Sequence, residues 1–257
     1  MIEINYPALV ASLLDQRIPR PNKVGTISGH AAGEPFDRLV YDSLRAEQPA
    51  HTFRQFEFLN ALYTKNSAAV TYALRHALLD APAVLFLLSR GKDSTRAWTA
   101  DAPFEEKQDD TADVLVTDGQ HYELLDVKTR AMHKKAQTPN IISAYKLAQL
   151  CAIMRDNAEY GSFGVTYVGI DWEAQGEELV CRRAYYKRLF LTPPAKLYIN
   201  WTAGYQIQVH LAALDQSFTG TVADWTLAYL QHYVAAARGW LGKAEAKHIT
   251  PFLKYLA

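Results

Sequence analysis

Through the first ninety residues, apolar positions recur every three or four places, the spacing of helices that bury one face. Leu9, Leu13 and Leu14 form one such stripe, and Phe36, Leu39, Val40, Ser43 and Leu44 form another. Pro35, directly after Gly33-Glu34, suits the first turn of that second helix. Two more helical stretches are predicted around Phe53–Tyr63 and Ala68–Leu79. The period then changes. Ala112-Asp-Val-Leu-Val116 and Tyr122-Glu-Leu-Leu-Asp-Val-Lys128 flank Asp118-Gly119, a two-residue turn signal, and together predict a β-hairpin. Asn140 suits the cap of a helix whose buried stripe is Leu147, Leu150, Cys151 and Met154. Strands are expected at Val165–Trp172, Leu179–Ala184, Leu197–Trp201 and Gln206–Leu211, and a long helix at Val222–Leu241. This order predicts a mixed α/β fold, a central mixed sheet flanked by helices. No repeat, low-complexity tract or Gly/Ser linker interrupts it. A single domain over 1–257 is expected, with a mainly helical part at 1–90 and a hairpin region at 112–130.

Composition narrows the class. A chain of 257 residues that is 49% hydrophobic and 21% charged has the balance of a globular protein with a proper core. Its 27 Lys+Arg cancel its 27 Asp+Glu, so any contact with nucleic acid must rest on local charge. No apolar run reaches transmembrane length and no basic-then-apolar leader opens the chain, so no membrane partner is expected. Cys151 and Cys181 are too few for a disulfide framework; they read as buried thiols in a reducing, cytoplasmic setting.

The hairpin carries the chemistry. Asp126 and Lys128, two apart on a strand, point to one side, and pairing across the turn brings Asp113 beside them. Two carboxylates and an ammonium on one patch suit phosphodiester hydrolysis. Asp113 and Asp126 offer hard oxygen ligands to Mg²⁺, and the Val127 carbonyl offers a third. Lys128 would orient or deprotonate the attacking water and offset charge in the transition state. The bland alternative is a salt bridge on a solvated hairpin. Against it, Asp126 interrupts an apolar run, where a charge needs a partner. Further carboxylates precede the hairpin at Glu105, Glu106, Asp109 and Asp110, and a basic stretch (Lys128, Arg130, His133, Lys134, Lys135) follows, suiting phosphate contact.

Four longer blocks are more specific. They are Ser28-Gly-His-Ala-Ala-Gly-Glu-Pro-Phe36, Leu85-Phe-Leu-Leu-Ser-Arg-Gly-Lys92, Phe104-Glu-Glu-Lys-Gln108 with Asp126-Val-Lys-Thr-Arg130, and Pro139-Asn-Ile-Ile-Ser-Ala-Tyr-Lys-Leu-Ala-Gln149. In these the chain resembles the HincII family of type II restriction endonucleases, within the PD-(D/E)xK superfamily. The resemblance implies a restriction-endonuclease-like fold and membership of a restriction-modification system. It implies a homodimer that cuts palindromic double-stranded DNA at GTYRAC, leaving blunt ends, with Mg²⁺ as cofactor. It makes Asp113 and Asp126 metal ligands and Lys128 the catalytic lysine. Gln137 becomes a wedge into bent DNA and Asn140 a base contact, with Tyr198 and Asn200 reaching the bases as well. Lys92 and Gln108 become contacts to phosphate or groove, and Thr129, Arg130 and Thr138 fall in the DNA-facing segments. Thr138, where the family carries a smaller alanine, and the basic run Arg182–Arg188 depart from the family pattern.

Other patterns are weaker. Arg90-Gly-Lys-Asp93 lacks the first glycine and the Ser/Thr of a P-loop. His30 reads as a turn or capping residue. Glu34 offers either an extra carboxylate for the metal or a first-turn charge on the helix dipole. A repair or junction-resolving nuclease of the same fold, and a non-catalytic DNA-binding protein, stay open beside the restriction enzyme.

Overall fold

The computed structural model describes residues 3–20, 29–63, 78–88, 110–132, 140–208 and 217–256, with the side chains of 29–34 and 61–63 left aside. In chain order the elements are α1 (Tyr6–Leu13), β1 (Arg17–Pro19), α2 (Gly29–Glu47), β2 (Thr52–Phe53), α3 (Gln55–Tyr63), α4 (Pro82–Leu88), β3 (Val114–Thr117) and β4 (Tyr122–Ala131). They continue with β5 (Asn140–Ser143), α5 (Ala144–Asp156), β6 (Phe163–Gln175), β7 (Glu178–Arg188), β8 (Ile199–Asn200), β9 (Gln206–Gln208), α6 (Val222–His248) and α7 (Thr250–Leu253).

Six of these strands form one sheet in the order β1-β7-β6-β4-β3-β2. Only β4 and β6 run parallel, joined by the crossover through α5; the other neighbours are antiparallel. The remaining strands form a second sheet in the order β5-β9-β8. The large sheet is packed on both faces, which is why all of β3 is buried and shows no in–out alternation. Leu115, Leu124, Val165 and Tyr167 face Leu147, Leu150, Cys151 and Met154 of α5 and Trp225 and Tyr229 of α6. On the other face, Val114, Val116, Leu125, Val127, Val168 and Ile170 meet Leu9 and Leu13 of α1 and Phe36, Val40 and Leu44 of α2. Each such side chain contributes on the order of 1.5–3 kcal/mol by leaving water.

Several local expectations are corrected. α2 starts at Gly29, so Pro35 lies inside the helix; the apolar stripe behind it outweighs the hydrogen bond that proline cannot donate. Phe53 belongs to a short strand, pairing with Leu115. Asn140 lies in β5, and Ser143 caps α5 by accepting from Lys146 N. The hairpin connection spans Asp118–His121, because Thr117 pairs with Tyr122. Asp118 Oδ1 accepts from Gln120 N and His121 N, and Gly119 takes a φ of 85°. The strand at Leu197–Trp201 shrinks to Ile199–Asn200, while the last helix extends to His248 behind a Thr221–Asp224 capping box. Of the stretch Ala68–Leu79, residues 68–77 lie outside the described residues.

Candidate active site

Asp113 stands at the foot of β3, opposite Asp126. Its N–H donates to the Leu125 carbonyl at 2.9 Å, and its Oδ2 accepts from Val127 N at 2.6 Å. The Asp113 carboxyl lies close enough to raise the pKa of Asp126. Lys128, two residues along β4 and therefore on the same side, places Nζ 2.8 Å from Asp126 Oδ1. Buried Gln55 of α3 holds the segment leading into Asp113: its Oε1 accepts from Thr111 N and Ala112 N, and its Nε2 donates to the Leu88 carbonyl and to Asp110 Oδ1. Arg54, whose guanidinium lies over the Tyr41 ring, donates to the Asp113 carbonyl at 3.2 Å. The Asp113–Asp126–Lys128 patch is thus built from two strands and steadied by α3.

A third carboxylate acts here. Asp37 of α2 is largely buried, and its Oδ1 has no hydrogen-bond partner among the described residues. Burial, reinforced by the charges of Asp113 and Asp126, pushes its pKa up to about 9, against the pull of Arg54 and Lys128. Burial also raises Asp126, to about 7, although Lys128 opposes the shift. The Lys128 ammonium is disfavoured by burial, but the neighbouring carboxylates outweigh that and hold its pKa above the ordinary value. Near neutral pH Asp37 therefore holds its proton and Asp126 holds one part of the time, protons that a bound cation would displace. Among the described residues, no three Asp, Glu, His or Cys side chains converge closely enough to form a ready-made metal cage. Mg²⁺ does not require one, since one or two carboxylates with waters and substrate phosphate satisfy it. Asp113 and Asp126 fit that demand, and Asp37 adds charge once it gives up its proton.

A second cluster lies on the small sheet. Asn200 Nδ2 donates to Gln208 Oε1 at 2.8 Å, and Gln208 Nε2 donates to Asn140 Oδ1 at 2.8 Å, so one amide relay crosses β8, β9 and β5. Asn200 Oδ1 is fixed in turn by Thr202 N and Ala203 N. Tyr198 is 65% exposed, while its carbonyl accepts from Gln208 N at 2.9 Å. Asn140 is thereby brought to Tyr198 and Asn200, which lie far along the chain from it.

A sequence model of the HincII restriction endonuclease family matches residues 9–256. The chain belongs to the HincII restriction endonuclease family. The type II restriction enzymes HindII (strain Rd) and HincII of Haemophilus influenzae are each 49% identical to it over 251 residues, covering 98% of this chain and 97% of theirs. A looser likeness, at 9% identity and a TM-score of 0.40, links it to the solved NlaIV restriction endonuclease over 94% of this chain and 87% of that one.

Not every residue that the HincII resemblance singles out stands at the catalytic patch. Arg130 is clamped to the buried Asp171, Nε to Oδ1 at 3.0 Å and NH2 to Oδ2 at 2.6 Å. Thr129 is half-buried and, one residue from Lys128, belongs to the opposite face of β4. Lys92, Gln108, Gln137 and Thr138 lie outside the described residues, as do His133, Lys134 and Lys135, and so does the side chain of Glu34. Sequence reasoning missed Asp37, one helical turn past Glu34, and Gln208. Spacing from Glu34 was a signal for the first. The second had none beyond alternation with Gln206.

Proposed function

We propose that this restriction endonuclease cuts a palindromic GTYRAC-like site in double-stranded DNA to blunt ends, as a homodimer that requires Mg²⁺. The observation that supports it best is the triplet itself, with Asp113 Oδ2 bonded to Val127 N beside Asp126 and the Lys128 ammonium 2.8 Å from Asp126. Asp113 and Asp126, with the Val127 carbonyl, would hold the metal, which when bound polarises the scissile phosphate and acidifies a water. Lys128, held as an ammonium, orients that water and offsets the charge that develops on the phosphate oxygens, while the proton of the attacking water leaves to solvent. Asp37, protonated near neutral pH in the metal-free protein, would give up its proton and add negative charge as a divalent cation binds. The relay of Asn140, Gln208 and Asn200 presents amides in fixed orientation. An amide reads adenine bidentately in the major groove, at about 1–3 kcal/mol per contact. Gln137 wedges at the central pyrimidine–purine step, which unstacks more cheaply than other steps. Two buried free thiols, Cys151 and Cys181, suit a reducing cytoplasm.

Plasmid digestion with Mg²⁺ and with EDTA tests this. Discrete fragments whose sequenced ends are blunt at GT(C/T)|(A/G)AC are expected. Structure-dependent nicking would instead indicate a repair nuclease, and binding without cleavage a non-catalytic protein.

A further inference from the structure

Where β4, β6 and β7 run side by side, nine residues form a grid. Asp126 pairs with Tyr167 and Tyr167 with Lys187; Lys128 pairs with Gly169 and Gly169 with Tyr185; Arg130 pairs with Asp171 and Asp171 with Arg183. Directly paired residues share a sheet face. Lys187, Tyr185 and Arg183 therefore stand on the face that carries Asp126 and Lys128, two strands or ~10 Å away at ordinary strand spacing.

The basic run Arg182–Arg188 thus divides in two. Arg182, at the bulge where the register shifts, is tied to Asp15 and Glu173, each at 3.1 Å. Arg188 lies over the Tyr6 ring, and Ala184 and Tyr186 pack into the core beneath α1. These residues serve the fold. Arg183 and Lys187 make no ion pair with any described residue. The carboxylate nearest to Arg183 in the grid, Asp171, is already compensated by its two bonds to Arg130. Arg183 is also held in place: its guanidinium lies 5.1 Å from the centroid of Tyr185, which lies across Gly169, where any Cβ would collide with that ring. Two cations without an ion pair among the described residues, one of them braced, thus flank Asp126 and Lys128 on their own face.

We propose that Arg183 and Lys187 form a contact track for the phosphate backbone of duplex DNA, beside the scissile phosphate. The proposal rests on the reading of Asp113, Asp126 and Lys128 as the cleavage site. A phosphate seated there puts its neighbours along the same face. Phosphates of one strand advance about 3.4 Å each along the helix axis, so ~10 Å reaches roughly three of them. The track contributes affinity without sequence information, the work of phosphate contacts in general. It lets a chain with zero net charge hold a polyanion.

Salt titration of DNA binding in Ca²⁺ separates this from a structural role. For the double variant Arg183→Ala/Lys187→Ala, the slope of log K against log[NaCl] should become shallower by about 3.6 for a dimer on one duplex, that is ~0.9 for each of the four lost contacts. Affinity should fall alike for a cognate and a scrambled 30-bp duplex, while the cleavage rate at saturating DNA in Mg²⁺ stays within about twofold, as for groups that position rather than react. Arg183→Lys/Lys187→Arg should keep the wild-type slope. Lys187→Ala alone, which leaves the Arg183–Tyr185 contact intact, should remove about 1.8, one contact from each chain. An unchanged slope overturns the track, and so does a loss confined to the cognate duplex. An equal loss in Lys243→Ala/Lys247→Ala, exposed lysines of α6, would trace the effect to net charge and overturn it too. Wild-type protein that neither binds nor cuts duplex DNA would instead sink the endonuclease reading beneath it.

Discussion

Asp126 is expensive to bury, and its neighbours show what it is buried for. A carboxyl raised to about 7 beside another carboxyl and an ammonium is poor design for stability and good design for holding a cation. Replacing Asp126 or Lys128 by Ala is expected to slow cleavage at least ~10³-fold, about 4 kcal/mol of transition-state stabilisation. Lys128→Ala should still bind cognate duplex in Ca²⁺. Single-turnover rates within tenfold of wild type would remove these residues from the mechanism. Asp37 makes a second prediction, for the metal-free protein. Its folded pKa, about 9, and that of Asp126, about 7, both lie above ordinary carboxylate values. The native state therefore binds these protons more tightly than the unfolded chain does. The stabilisation is present in full below the unfolded values, and is lost through about pH 7 for Asp126 and about pH 9 for Asp37. Melting temperature in EDTA should thus fall between pH 6 and 9. Asp37→Asn should flatten the upper part of that fall, and Mg²⁺ should stabilise more as pH rises. A wild-type slope in Asp37→Asn would assign the titration elsewhere.

At the level of elements, the hairpin was legible because its information is local. A change to period two, a Gly at positive φ and an Asp that bonds the following N–H groups all lie within about twenty residues. The caps and boundaries that were misread depend on distant partners. Asn140 looked like a helix cap until β9, nearly seventy residues on, turned it into a strand residue paired with Gln208. Pro35 looked like a helix start because its cost is visible locally, whereas the packing of Phe36, Val40 and Leu44 against β4 that outweighs it is not. Gln208 carries the prediction at this scale. Gln208→Ala removes the middle of the amide relay, so Asn140 loses its donor and Asn200 keeps only the bonds to its Oδ1. Cognate cleavage should fall by roughly 1–3 kcal/mol in kcat/KM, with relaxed discrimination at the bases those amides read and little change in nonspecific binding. Equal losses on cognate and mismatched duplexes would make the relay structural only.

For the whole molecule, one catalytic patch serves one scissile phosphate, and a palindrome presents two. On the proposed function, an isologous dimer would supply the second patch. Light scattering of the complex should give two chains per duplex; one chain per duplex would indicate a nicking enzyme. By itself the sequence determined the class of fold, the hairpin, the opposition of Asp113 to Asp126 and the placement of Lys128 beside them, because strand pairing across a short turn leaves few alternatives. Its long blocks determined the family. Only the tertiary structure decided that Asp37 joins the site, that Arg130 is spent on Asp171, that Asn140, Gln208 and Asn200 share one relay, and that half of a basic run shares the catalytic face. Each of these depends on which strands become neighbours, and that order is set by burying two apolar faces of one sheet at once, a condition no local stretch of the chain contains.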